Sequence, residues 1–219
     1  MATNSGHMTK LEAVNSMLWS IGESPVQSLS SGLGDAEVAE AVLDRVSRDI
    51  QLMGWHCNTL KNYEISKNAG NQFPLPEDTL KVDTVNPSSG RQLSTPRHSA
   101  SIDAVMRRSA DATKWLLFDR DNNSETWTTE DTLTVDLVQF QDFANLTPAL
   151  QAYVWTAAAH KFQKGAMGSR ALYEYTREDV DAAMTQAVQE DTDNEDINII
   201  RQNAHVRQIA YRNNPGFNR

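Results

Sequence analysis

The sequence predicts an α+β protein: a helical bundle formed by N- and C-terminal helix pairs, an inserted β-sheet lobe and an extended C-terminal tail. Three observations carry that prediction. Apolar residues recur at helical spacing near both ends of the chain, they alternate over the middle, and residues 191–219 turn first acidic and then polar and basic. The implied division assigns 9–57 and 144–190 to the bundle, 58–143 to the strand-rich insertion and 191–219 to a docking tail. Residues 1–8 read as an appended remnant outside the fold.

The first helix is expected over 11–21. Thr9 and Glu12 have the spacing of a capping box, Leu11, Val14, Leu18 and Ile21 share one face, and Gly22 supplies the stop. Pro25 and residues 28–34 read as a loop. Asp35 is placed to cap a second helix over 36–53, with Ala39, Val42, Leu43, Val46, Ile50 and Met53 as its apolar set and Gly54 as its end.

Beyond Gly54 the period changes. Residues 63–65, 79–85, 115–118 and 133–138 are short strand-like pieces separated by Asn, Gly, Pro and Ser. Leu133, Val135 and Leu137 fall on one face of the last of them. Residues 86–101, rich in Pro, Ser, Gly and Arg, read as a long loop or loose hairpin.

Helix returns over 148–163, with Thr147 as N-cap and Pro148 at the first helical position. Leu150, Tyr153, Val154, Ala157 and Ala158 form its stripe, and Gly165 and Gly168 interrupt the pattern. A fourth helix is expected over 177–189, capped by Thr176 and Asp179, with Val180, Ala183, Met184, Ala187 and Val188 inward. The stripes at the two ends can be buried only against each other or against the sheet.

Composition limits function. A chain of 219 residues can bury a core without disulfides or metals, and the single Cys57 excludes an internal disulfide framework and suits a reducing cytosol. An apolar fraction of 39% and a mean hydropathy of -0.55 describe a polar globular chain. The net charge of -9 does not advertise nucleic-acid binding. No apolar run approaches the roughly 18 residues of a membrane span, and no secretory signal is expected.

Catalytic and ligand motifs are weak throughout. Asp119, Asp121, Asn123 and Glu130 occupy oxygen-ligand positions of a calcium loop, but Ser124 stands where that loop needs glycine, and the flanks look like strands. A polar hairpin turn explains the same residues. Gly32 and Gly34 make half of a dinucleotide fingerprint, with no strand before them and Glu37 at the third glycine position. His7, His56, His98, His160 and His205 have no metal-ligand spacing. His56 and Cys57, as neighbours, point apart, which favours a core or interface role over a nucleophilic pair. Near the end, Arg201, Arg207, Arg212 and Arg219 accompany Ile209, Tyr211 and Phe217. This is either a solvated polar terminus or a segment that orders on a partner. On the second reading the partner-binding residues are Arg201, Arg207, Ile209, Tyr211, Arg212 and Phe217.

The block 11–26, LEAVNSMLWSIGESPV, resembles the opening of tail tubular protein A, the head-to-tail adaptor of short-tailed bacteriophages. Residues 35–51 and the GWHCNT of 54–59 continue the likeness in order. So do FPLP at 73–76, LFD at 117–119, AAAHKFQ at 157–163 and GS at 168–169. The likeness covers most of 10–189 and does not extend to 86–108 or the tail.

The resemblance implies a structural virion protein, made in the host cytoplasm and resident in the tail. It would form a dodecameric ring between the portal protein and a nozzle of the tail tubular protein B type. DNA would pass through the centre without sequence-specific binding. It implies no enzyme activity, no cofactor, no metal and no membrane partner, and brings no catalytic residues. An acidic wall suits such a channel, because a surface that held phosphate tightly would retard transit. Two alternatives are distinct: a virion glycan hydrolase, which needs two convergent carboxylates, and a free-standing binding module using 86–108 as its recognition loop.

Overall fold

The computed structural model describes residues 6–30, 32, 34–84, 103–110, 113–128, 130–168 and 170–194. The elements are helices α1 (Lys10–Ser20) and α2 (Gly34–Gln51), strands β1 (Thr59–Ser66), β2 (Thr79–Thr84), β3 (Ala104–Arg108), β4 (Trp115–Asp119) and β5 (Thr132–Gln139), and helices α3 (Pro148–Met167) and α4 (Arg170–Asn194). Short 3-10 turns at His56–Asn58 and Phe143–Asn145 mark the two crossings between helices and strands. The fold is α+β, helices with an inserted sheet lobe, as the change of period predicts.

α1 begins with the predicted capping box. Thr9 Oγ1 accepts from the Glu12 amide at 3.2 Å, and Glu12 Oε2 accepts from the Thr9 amide at 2.8 Å. These bonds to Thr9 hold the Glu12 carboxyl below its usual range. Ala13, Val14, Met17 and Leu18 are buried, with Leu11 and Ile21 at the margin. α2 starts at Gly34, so Asp35 lies inside the first turn, where a carboxylate faces the positive end of the helix, and is not the cap. Its buried apolar stripe ends at Ile50. Met53 is 57% exposed, because the helix stops at Gln51 and the chain turns away from the bundle there. Gly54 closes the turn at φ +78.

α3 runs from Pro148 through Gly165 to Met167, and Gly168 caps it in the left-handed conformation. Only the second of the two glycines ends the helix, since glycine lowers helix propensity without forbidding a helical turn. α4 begins at Arg170, not Thr176. Thr176 is therefore interior, its hydroxyl 2.7 Å from His160 Nδ1, and Thr176 and Asp179 form no cap. A capping-box spacing arises by chance inside a helix, and the break at Gly168 sets the true start. α4 continues to Asn194, past the expected boundary, and Val188 on its predicted inner side is 43% exposed.

Residue 8 belongs to the fold. Met8 packs on the bundle core, its amide donates to Gln151 Oε1 at 3.0 Å, and Gln151 Nε2 donates to the carbonyls of Met8 at 3.3 Å and Phe143 at 2.8 Å. Lys10 bridges Glu40 at 2.8 Å and Asp44 at 2.9 Å. Burial pulls its pKa down, and the two carboxylates outweigh that and raise it.

The lobe holds a three-stranded antiparallel sheet in the order β1-β5-β2 and a two-stranded antiparallel sheet β3-β4. Leu133, Val135 and Leu137 all face the core, as their alternation predicts. β3 had no counterpart in the sequence reading: Ala-Val-Met-Arg-Arg carries little alternation of its own and is a strand because β4 pairs with it. Residues 73–75 lie along β4, with the Leu117 amide donating to Phe73 O at 3.0 Å and the Leu75 amide to Trp115 O at 2.9 Å. Residues 86–101, the expected long loop, lie outside the described residues.

Two hydrophobic cores result. One is built by α1 to α4 with Trp55, Phe143 and Leu146, and the other by Phe73, Leu75, Leu117 and Trp127 with the strands.

Candidate assembly surface

The described surface carries several large apolar side chains that the fold does not use. Trp19 is 79% exposed on the last turn of α1. Leu52 and Met53 stand out from the turn after α2, and Leu60 and Tyr63 from β1. β1 is an outer strand of its sheet. Leu60 pairs with Leu137 and Tyr63 with Val135, with a one-residue slip between them. Cross-strand partners share a sheet face, so Leu60 and Tyr63 continue the apolar face of the lobe core past its own cover. They remain 40% and 37% exposed, whereas Ile65 on the same face is buried. The slip leaves Asn62 at φ 58, with its amide on Asp136 Oδ1 at 2.7 Å, a bulge of the kind that blunts an open sheet edge.

Next to this stripe, α4 meets the turn that leads into β1. The His56 amide donates to Asp191 Oδ1 at 2.7 Å, and Glu190 Oε2 accepts from Thr147 Oγ1 and the Ala149 amide, both at 3.2 Å. Glu190 thereby caps α3 in place of the Thr147 side chain. Cys57 is exposed as a residue, yet burial around its thiol pushes the pKa up, with Asp191 and Glu190 adding to the rise. Such a thiol is a poor nucleophile at neutral pH. His56 is exposed as well, so of the core or interface role expected for this pair the core half does not hold.

The sequence matches the model of a family described as tail tubular protein over residues 11–197, most of the chain. The chain belongs to the tail tubular protein family. No curated protein matches it. The family match spans both cores and ends three residues past Asn194, so bundle and lobe together form the tail tubular unit. The chain is thus a structural component of a phage tail, and no helix among its described residues is long and apolar enough to cross a membrane.

For this tail protein, the residues singled out from sequence fall as follows. Arg201, Arg207, Ile209, Tyr211, Arg212 and Phe217 lie outside the described residues. Asp119 forms a polar turn with Ser124. Its buried carboxylate accepts from the Asn122 amide at 3.0 Å and from Asn122 Nδ2 at 2.7 Å, so the turn itself uses both oxygens. Among the described residues, no three His, Cys, Asp or Glu side chains converge in a set that could hold a metal ion. The exposure of Trp19, Leu52, Leu60 and Tyr63 is not foreseen from the sequence, and Met53 is read there as part of an inward stripe. For Trp19 a signal was present: it falls off the Leu11, Val14, Leu18 stripe, and a tryptophan on a polar helix face is a common anchor in interfaces.

His160 couples α3 to α4. Burial lowers its pKa below the ordinary 6.5, Lys164 and Arg177 push the same way, and Asp181 opposes them. The unfolded chain therefore binds this proton at higher pH than the folded one. The neutral ring contributes its full stability above about pH 6.5 and loses it as the pH falls through the lower folded value. Acidification from about pH 7 to about pH 5 is expected to lower Tm, and His160→Gln to flatten that fall. A Tm profile unchanged by the substitution would show that the α3–α4 contact does not sense this proton.

Proposed function

We propose that the chain is an A-type tail tubular protein, the head-to-tail adaptor. In this reading its copies form a ring, expected to be dodecameric, that joins the portal to the B-type nozzle and lines the DNA exit channel. The observation that carries the reading is the family match across both cores, taken with the 11–26 block that resembles the opening of the A-type proteins. The charge of -9 supports a conduit that does not retain DNA. Residues 195–219 serve as the portal-docking segment, with Arg201, Arg207 and Arg212 pairing with acidic groups and Ile209, Tyr211 and Phe217 as apolar anchors. The isolated subunit stays mainly monomeric and closes its ring on the portal template.

Electron microscopy of the chain mixed with its cognate portal tests this. The expected result is added ring density beneath the portal, on which the nozzle protein then assembles. Portal particles unaltered by excess subunit would refute the adaptor role.

A further inference from the structure

The chain is acidic as a whole, with a net charge of -9, yet its two-stranded sheet is a basic island. Residues 104–108 and 114–118 contribute Arg107, Arg108 and Lys114 and no carboxylate. Lys114 shares a polar cleft with Glu125, which leaves the two arginines as the open charge. Cross-strand pairing puts Val105, Arg107, Leu116 and Phe118 on one face, while Ala104, Met106 and Leu117 on the other belong to the lobe core. The Arg107 guanidinium lies over the Phe118 ring, 4.6 Å from its centroid, and that of Arg108 lies over Trp115 at 5.4 Å. Val105, Arg107 and Arg108 are exposed, and among the described residues neither arginine has a carboxylate partner. A stacked guanidinium is held flat while its N–H edge stays in water, ready to meet a carboxylate.

The C-terminal part of α4 is its opposite. After Arg177 the helix holds Glu178, Asp179, Asp181, Glu190, Asp191 and Asp193 and no base. Arg177 itself meets Asp181 at 3.9 Å. The last three acids stand at the carbonyl end, where the helix dipole is already negative and a cation would be favoured. Glu190 and Asp191 each engage one oxygen with a backbone amide, of Ala149 and His56. Val188 is exposed among them. Asp181, two turns back, and Asp191, one turn on, share its face of the helix.

Each surface thus joins an exposed valine to charge of one sign, and the two signs are opposite. We propose that the β3–β4 hairpin of one copy docks on the C-terminal turns of α4 of the next. Val105 meets Val188, and Arg107 and Arg108 meet Asp191 and its acidic neighbours. Two different surfaces of one chain are joined, so the contact runs head to tail and can repeat around a ring. Like charge opposes hairpin on hairpin and α4 on α4, which sets the direction of assembly. Exposed ion pairs are individually weak, which suits a subunit whose copies stay apart until something gathers them. The inference rests on the reading that copies of this chain assemble, and it names the surfaces through which they do so.

Disulfide trapping on the full chain tests it, with Cys57→Ser as background. One protein carries Val105→Cys and another Val188→Cys, and the two are mixed and oxidised in solution. A disulfide needs Cα atoms about 4.4–6.8 Å apart, so a specific contact joins them far faster than random collision. The heterodimer is expected to exceed either homodimer several-fold. Raising the salt from about 50 mM to about 500 mM is expected to remove that excess, and so is Arg107→Gln with Arg108→Gln. The salt series needs no further variant, and it decides should the glutamine protein fail to fold. A heterodimer yield no higher than that of the homodimers, or an excess indifferent to salt, overturns the contact. If that low yield comes with retention on duplex DNA that requires the two arginines, the hairpin meets phosphate instead. A portal left unaltered by the chain would remove the adaptor role without touching the heterodimer result. A ring on the portal that yields no heterodimer on oxidation would remove this contact alone.

Discussion

Ending the chain after Asn194 is expected to abolish binding to the cognate portal while leaving Tm nearly unchanged. Residues 195–219 offer few apolar side chains, chiefly Ile197, Ile199, Ile200, Val206, Ile209, Tyr211 and Phe217. Ordering a backbone costs roughly 1–2 kcal/mol per residue, and on the docking reading proposed above the portal surface offsets that cost. Aromatic and arginine side chains concentrate binding energy when a partner desolvates them. The cut must fall after Asn194 and not after Gln189. Glu190 caps α3, and Asp191 holds the His56 amide, so a cut at 189 removes structure together with the tail. Losing a cap alone costs about 0.5–2 kcal/mol. Calorimetry and a portal-binding titration separate the two effects. Undiminished portal affinity in the chain ending at Asn194 would remove the docking role from the tail.

Replacing Phe73 with alanine is expected to destabilise the lobe by about 3–5 kcal/mol, the range for emptying a buried aromatic site. Phe73 is fully buried and meets Trp127 edge to face, with ring centroids 5.5 Å apart. Trp127 cannot move to fill the space cheaply, because its Nε1 donates to Leu117 O at 3.0 Å. The backbone of Phe73 also accepts from Leu117, so collapse of the cavity would strain the strip that runs along β4. The two cores are separate, and the damage is therefore expected to stay local. Hydrogen exchange should accelerate in β1 to β5 while α1 to α3 keep their protection. Equal loss of protection in helices and strands would show that bundle and lobe unfold as one unit.

Much of this was written locally in the chain. The capping box at Thr9 and Glu12, the proline after Thr147 and the alternation of Leu133, Val135 and Leu137 all depend on neighbours within a few residues. Such signals survive without the tertiary structure, and they sufficed for the fold class and most of the elements. The failures share one cause. The spacing of Thr176 and Asp179 copied a helix start inside a continuous helix, and β3 carried no pattern of its own until β4 supplied a partner.

The sequence by itself determined the α+β class, the buried faces of α1, α3 and β5, and the resemblance that the family match bears out at the level of a tail tubular protein. Tertiary structure decided where each face ends and what the polar interior does. Exposure of Met53, Val188, Leu60 and Tyr63 depends on which surface the rest of the chain covers, which periodicity does not encode. Gln51 and Asn58 read as ordinary polar residues until the end of α2 and the exit of β5, some 80–90 residues later in the chain, bring carbonyls within reach of their amides. Hydrophobic period is a property of neighbours along the chain, whereas a buried amide takes its meaning from partners that only the fold brings near.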